Sequence, residues 1–355
     1  MAAAPGAWTR RLQAAWSTRG ALASLLLPVA LLFSLLSALR RALYHHGLLH
    51  SHRLGVPVIV VGNLLAGGAG KTPTVMAIVE LLRQRGFTPG IVSRGYGRRG
   101  TGLVRLHADT SASECGDEPL LMHLRTGAPV VVGRDRAAAG RALLLHHAEV
   151  DVLVSDDGLQ HLRLARDAQV LVFDERGAGN GWPLPAGPLR EPMPVGVPPR
   201  SLVIYNALSA STALPGSVAR RALSGVVSLD DWWRGKPASM PALHTLIGRR
   251  VVAAAGLARP QRFFDMLEAA GLSIHPLPLP DHHDYATLPW PPQCGDVIVT
   301  EKDAVKLLPE RLSNTRVWVA ALDFHLDDAF AAALTNLLPS PPTQPRAIPH
   351  GSPTA

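Results

Sequence analysis

A buried strand that runs into a glycine-rich turn ending in Lys-Thr leaves a chain few ways to fold. Val58-Ile-Val-Val61 reads as such a strand. The turn is Leu65, Ala66, Gly67, Gly68, Ala69, Gly70, Lys71 and Thr72, and an apolar-periodic segment, Val75 to Leu82, follows. Strand, glycine loop, Lys-Thr and helix is the arrangement that holds nucleotide phosphates. Glycines let backbone N–H groups approach phosphate oxygens, and the helix adds the positive end of its dipole. Lys71 is expected to reach the β- and γ-phosphates, and the Thr72 hydroxyl a Mg²⁺ ion. One position departs from the usual pattern, which begins with Gly where this chain has Leu65. The alternative, an ordinary turn before a helix, explains neither the Lys-Thr ending nor the strand–helix context.

From Pro57 onward apolar runs alternate with helical segments, which predicts a parallel α/β sheet. Strands are expected at 58–61, 89–92, 128–132, 150–156, 168–173, 201–205, 251–255 and 296–300, and a helix at about 73–85. Asp156-Asp157 closes the strand from Val150. An acidic strand end downstream of a phosphate loop is where a Mg²⁺-associated carboxylate belongs. Ser93-Arg94-Gly95-Tyr96-Gly97-Arg98 is a basic turn at a strand's carboxyl end, suited to an anionic ligand. Asp117-Glu118 opens a helix, and read alone, capping explains the pair better than chemistry does. Asp281-His282-His283-Asp284 resembles a metal cluster, but adjacent histidines in an extended chain point opposite ways, so a single positioning Asp or His is preferred. Residues 176–192 are too rich in Gly and Pro for helix or strand. The Pro-rich 192–199 reads as a boundary between lobes.

Residues 21–39 carry no charge and, as a helix, measure roughly 28 Å, close to a hydrocarbon core. Arginines flank both ends, and Trp8, Trp16 and Tyr44 suit interfaces. A membrane-associated N-terminal segment is expected; a buried first helix is the alternative. The net charge of +8 is nearly all arginine. It suits a membrane surface or an anionic substrate. No basic run with interleaved aromatics marks a nucleic-acid binder. Two cysteines, Cys115 and Cys294, argue against a disulfide framework.

Taken in order, these pieces resemble the tetraacyldisaccharide 4′-kinase family of lipid A biosynthesis. The residues that carry the resemblance are Val61-Gly-Asn63, Gly67 to Pro73, Ser93 to Gly97, Gly116-Asp-Glu-Pro119, Asp156 to His161 with Arg166-Asp167, Gly179-Asn-Gly181, Leu184 to Glu191, Asp281-His282 and Thr300-Glu-Lys-Asp303. Each motif is weak alone; the ordered set is specific, and the family shares the missing first glycine. The resemblance implies two α/β lobes with the active site between them. It also implies transfer of the ATP γ-phosphoryl to the 4′-hydroxyl of a tetraacyl glucosamine disaccharide 1-phosphate, giving lipid IVA. The place implied is the cytoplasmic face of a Gram-negative inner membrane. Asp117 becomes the expected catalytic base with His282 beside it and Lys71 on the phosphates. Thr72 and Asp156 are expected to hold Mg²⁺, with Asp157 and Glu191 as contributors. Arg94, Arg98, Gln160 and His161 are expected to bind the substrate, and no obligatory protein partner is evident. The corresponding divisions are 1–50, membrane segment; 51–195, phosphate-loop lobe; 196–338, second lobe; and 339–355, disordered tail. Two rivals stay open: a membrane-associated phosphate-loop ATPase switch, and a kinase of another glycolipid or a soluble sugar.

Overall fold

The computed structural model describes residues 11–341 except Gln13 and Ser313; nearly all of the predicted tail lies outside them. Among the described residues two sheets form. The first, in spatial order, is β3 (Val104–Arg105), β4 (Val130–Val132), β2 (Pro89–Ser93), β5 (Val152–Asp156), β1 (Val58–Gly62), β6 (Ala168–Phe173), β7 (Ser201–Tyr205) and β8 (Ser217–Val218). All neighbours are parallel except β3 and β4. The second is β11 (Ser273–Pro278), β10 (Arg250–Ala255), β12 (Asp296–Thr300), β13 (Arg316–His325) and β9 (Arg220–Ser228), parallel except for β13 with β9.

Strands β1, β2, β5 and β12 are buried along their whole length, as near-continuous Val/Ile runs covered on both faces must be. Alternation sorts β1 between two cores. Ile59 and Val61 face a cluster with Val75, Ile78 and Leu82 of the helix after the glycine loop, whereas Val58 and Val60 face one with Ala137, Leu143 and Leu153. The first cluster continues into Val297, Val299 and Val319 of the second sheet, so one apolar core joins the lobes. A third, with Leu243, Phe263 and Phe264, closes the far face.

The boundary predicted at 195/196 differs from this arrangement. Strand β7 pairs with β6, Val170 opposite Leu202, inside the phosphate-loop sheet, and the second sheet begins only with β9. Pro and Gly end an element but do not say which sheet the next strand joins. Strands β9 and β13, unmarked in the sequence reading, form the antiparallel edge of the second sheet.

Near the N-terminus, α1 (Ala21–Leu25) and α2 (Leu27–His45) break at Leu26, just before Pro28, because proline fits only a helix's first turn. Leu31, Leu32, Leu35, Leu36 and Leu39 are exposed, and Ala30 is the only buried residue of α2. The helix is long and apolar enough to cross a membrane.

Candidate active site

Five parallel strands end at one edge of the first sheet, and each delivers a buried polar residue there. Asn63 follows β1, Ser93 closes β2, Asp156 closes β5, Asp174 follows β6 and Asn206 follows β7. Ligands in open α/β sheets bind at this edge. The predicted phosphate-binding residues, Leu65 to Thr72, form the loop between β1 and α3 (Lys71–Gln84). Leu65, in the position of the missing glycine, is buried and bridges Leu189. Gly70 needs to be glycine twice over: its φ is +87°, and a Cβ there would lie 1.9 Å from the Asn206 side-chain nitrogen. Lys71 Nζ donates to Asn63 Oδ1 at 3.2 Å and lies 3.7 Å from Asp157.

Asp156 accepts from the Ser93 hydroxyl at 2.8 Å through Oδ2; its Oδ1 is buried and has no hydrogen-bond partner. Burial, then the charges of Glu118 and Asp157, push its carboxyl up to about 7. A buried oxygen without a donor, among carboxylates that repel each other, suits a cation. Among the described residues no group of three or more His, Cys, Asp or Glu side chains makes a protein-only cage. Mg²⁺ needs none, since it takes one or two carboxylates plus water and phosphate oxygens. The fit therefore favours Asp156, and the expected partner Thr72 lines the inter-lobe cavity of the phosphate loop. Asp157 has φ +47°, a strained value for a non-glycine residue, and its carboxylate lies between Lys71 and Arg190. Glu191 instead accepts from Arg41 and Gln160, both at 3.0 Å, so its two oxygens are engaged at the foot of α2 rather than free for a metal.

Asp117 opens α5 (Asp117–Thr126), which follows the short α4 (Ala112–Cys115) across Gly116. Gly116 has φ +95°, and a Cβ there would meet the Tyr96 carbonyl at 2.8 Å, so the two glycine-bearing motifs interlock. Asp117 Oδ2 lies 2.8 Å from His282 Nδ1. Lys302 Nζ lies 3.3 Å from His282 Nε2. An ammonium only donates, so this network assigns the ring proton to Nδ1, which donates to Asp117. His282 holds φ +59° to do this. Lys306 Nζ lies 3.7 Å from Asp117 and 3.5 Å from the wholly buried Asp303. Burial works to raise the Asp117 carboxyl, but the His282 hydrogen bond and the Lys302, His282 and Lys306 charges outweigh it and hold it below the usual range. His283 turns away and packs edge-on to Tyr285.

Two cavities flank this centre. One, of about 260 Å³, lies between the lobes and is lined by Lys71, Thr72, Glu118, Phe263, Met266 and Lys302 among others. The other, of about 540 Å³, lies at the foot of α2, where Phe33, Arg40 and Arg41 meet Arg94, Gln160 and His161. Arg134, Arg136 and Arg190 also line it. Arg134 and Arg136 were not singled out in the sequence; nothing in their place after β4 marks Arg136 as buried or either one as lining a cavity. Arg98, predicted to join Arg94, turns back onto its own loop and donates to the Gly102 carbonyl. His161 accepts from the Arg136 backbone N–H; burial, then nearby Arg136, lower its pKa to about 4, so the ring is neutral.

The tetraacyldisaccharide-1-P 4′-kinase family matches residues 22–339. The chain belongs to this family. It is 57% identical over 334 residues to the tetraacyldisaccharide 4′-kinase of Leptothrix cholodnii, covering 93% of this chain and 96% of that protein. It is 56% identical over 337 residues to the one of Methylibium petroleiphilum, covering 93% of each. Among solved structures it resembles LpxK from Aquifex aeolicus in complex with ATP, with a TM-score of 0.73 and 28% identity over 89% of this chain and 99% of that one. The expected family and the α/β fold thus hold for this 4′-kinase chain.

Proposed function

We propose that this member of the 4′-kinase family transfers the γ-phosphoryl of ATP to the 4′-hydroxyl of a tetraacyl disaccharide 1-phosphate at a membrane surface. The observation that carries the reading is that the glycine loop shares one cavity with Glu118, Asp281 and Lys302, the neighbours of the Asp117–His282 pair, with an arginine-lined cavity at the foot of an exposed apolar helix. ATP lies with its phosphates on Gly67 to Thr72, and Lys71 bears on the β- and γ-phosphates. The 1-phosphate end of the lipid suits the Arg94, Arg136 and Arg190 side, and its acyl chains the apolar face of α2.

Phosphoryl transfer needs mostly alignment and charge neutralisation. The 4′-oxygen forms its bond to the γ-phosphorus as the bond to the β,γ-bridging oxygen breaks, and ADP leaves. Asp117 accepts the hydroxyl proton. His282, its Nδ1–H on the carboxylate, fixes which lone pairs face the acceptor. Thr72 and Asp156 would hold Mg²⁺, with Asp157 nearby, and the ion would supply neutralisation of the phosphate charge.

The test is one incubation of purified protein with γ-labelled Mg-ATP and the tetraacyl disaccharide 1-phosphate. Label is expected in the lipid. ATP hydrolysis without labelled lipid would overturn the reading in favour of an ATPase switch.

A further inference from the structure

All four carbonyls at the crown of the phosphate loop are held from outside it. Asn63 Nδ2 donates to the Gly67 carbonyl at 3.1 Å. Arg176 Nη1 donates to Ala66 at 3.1 Å and its Nη2 to Gly68 at 2.6 Å. Asn206 Nδ2 donates to Ala69 at 3.1 Å. Arg176 is itself fixed: its Nε donates to both oxygens of Asp174, at 3.0 and 2.9 Å, and Asp174 is buried. Asn206 is buried too, and its backbone N–H donates to the Phe173 carbonyl. The two clamps therefore come from the ends of neighbouring strands, β6 and β7, beside the strand that carries the loop.

We propose that Arg176 and Asn206 are positioning residues for ATP, which turn the loop carbonyls outward so that its amides face the phosphates. A loop that binds anions must aim successive N–H groups at one point. Carbonyls on the same residues, if they relaxed inward, would repel phosphate oxygens. The guanidinium fork spans residues 66 and 68 at once, which a single-point donor cannot do. The clamp also explains why Leu65 is tolerated. With that residue pinned to Leu189, the loop's shape is imposed from β6 and β7 rather than by an additional glycine. This inference rests on the reading that the loop holds the ATP phosphates.

The experiment compares Arg176→Lys, Arg176→Met and Asn206→Ala with the unmodified chain. KM for ATP, KM for the lipid, kcat and the melting temperature are read for each. Both Arg176 variants are expected to raise KM for ATP about ten- to thirtyfold, the scale of one or two lost charge-assisted hydrogen bonds. Asn206→Ala is expected to raise it about tenfold. Lipid KM should stay near the original value in all three; the melting temperature should do so in Arg176→Lys and Asn206→Ala, while Arg176→Met, which leaves the buried Asp174 without its guanidinium, should melt lower. Arg176→Lys with an unchanged ATP KM would overturn the proposal, since charge alone would then suffice. So would an Arg176→Lys or Asn206→Ala variant whose lipid KM rises and melting temperature falls in step with the loss of ATP binding, as general structural support predicts. Lys71→Ala is the control for the underlying reading: ATP binding unaffected by that change would mean the phosphates lie elsewhere, a failure distinct from that of the clamp.

Discussion

Asp117 sits where two demands conflict. A proton acceptor for a sugar hydroxyl gains from a raised pKa, yet this carboxylate faces His282, Lys302 and Lys306 and is held low. The geometry resolves the conflict in favour of position over basicity. The His282 bond and the Glu118 backbone N–H, which donates to Oδ1 at 3.0 Å, fix both oxygens, so the proposed mechanism has an aimed group that would take the proton only as the phosphorus–oxygen bond forms. Asp117→Asn keeps the shape and removes the charge. It is expected to lower kcat by about 10²- to 10⁴-fold and to leave the dissociation constant for ATP within about twofold, because among the described residues no hydrogen bond or ion pair joins Asp117 to the glycine loop. Single-turnover rates together with a binding titration separate the two quantities; turnover like that of the unmodified chain would remove Asp117 from the mechanism.

At the scale of elements, the Gly179-Asn180-Gly181 stretch has a role that its sequence did not disclose. Asn180 Nδ2 lies within hydrogen-bond distance of the Ala15, Thr18 and Ala186 carbonyls, at 3.3, 3.1 and 2.9 Å. Arg19 donates to the Asn180 carbonyl and lies over the Trp182 ring, and the Trp16 indole donates to Pro185. The loop thus docks the segment that leads into α1 and α2, and with Arg41 on Glu191 it sets the apolar helix above the arginine cavity. Asn180→Ala should loosen that docking by about 1–3 kcal/mol. Tryptic cleavage after Arg19 is expected to accelerate, with the ATP KM unmoved; unchanged cleavage would contradict the docking role. Other elements were plainer in the sequence. Strands β6, β7 and β12 run over the residues their apolar pattern indicates, because their inner positions are apolar on both faces and polar residues are confined near their ends. Strand β9 begins Arg220-Arg221 at a sheet edge, and β13 shifts register between Ala321 and Leu322. Edge exposure and a bulge both break the alternation that marks a strand. In the site, Asp156, Asp117 and His282 were legible because motifs carry them. Arg176, Asn206, Arg134 and Arg136 were not, since their partners are brought near only by folding.

Across the whole molecule the lobes meet through opposite charges as well as a shared apolar core. Asp117 and Glu118 of the first lobe face His282, Lys302 and Lys306 of the second, and Glu175 pairs with Arg259 and Arg262. At the cleft Asp156 is a buried carboxylate repelled by Glu118 and Asp157, and its Oδ1 has no donor. Such a region costs stability until a cation arrives, a common trade at functional sites. A ligand that binds only the folded state stabilises it by mass action, so Mg²⁺ with a non-hydrolysable ATP analogue should raise the melting temperature, and a chelator should reverse much of that rise. Asp156→Asn removes one repelling charge and keeps an acceptor for Ser93. In metal-free buffer it should therefore melt at or above the temperature of the unmodified chain, while losing the Mg²⁺-dependent rise and most of its turnover. If Mg²⁺ raised the melting temperature of that variant as it does the original, the cation would have to bind elsewhere, and the excess charge at the end of β5 would need another purpose.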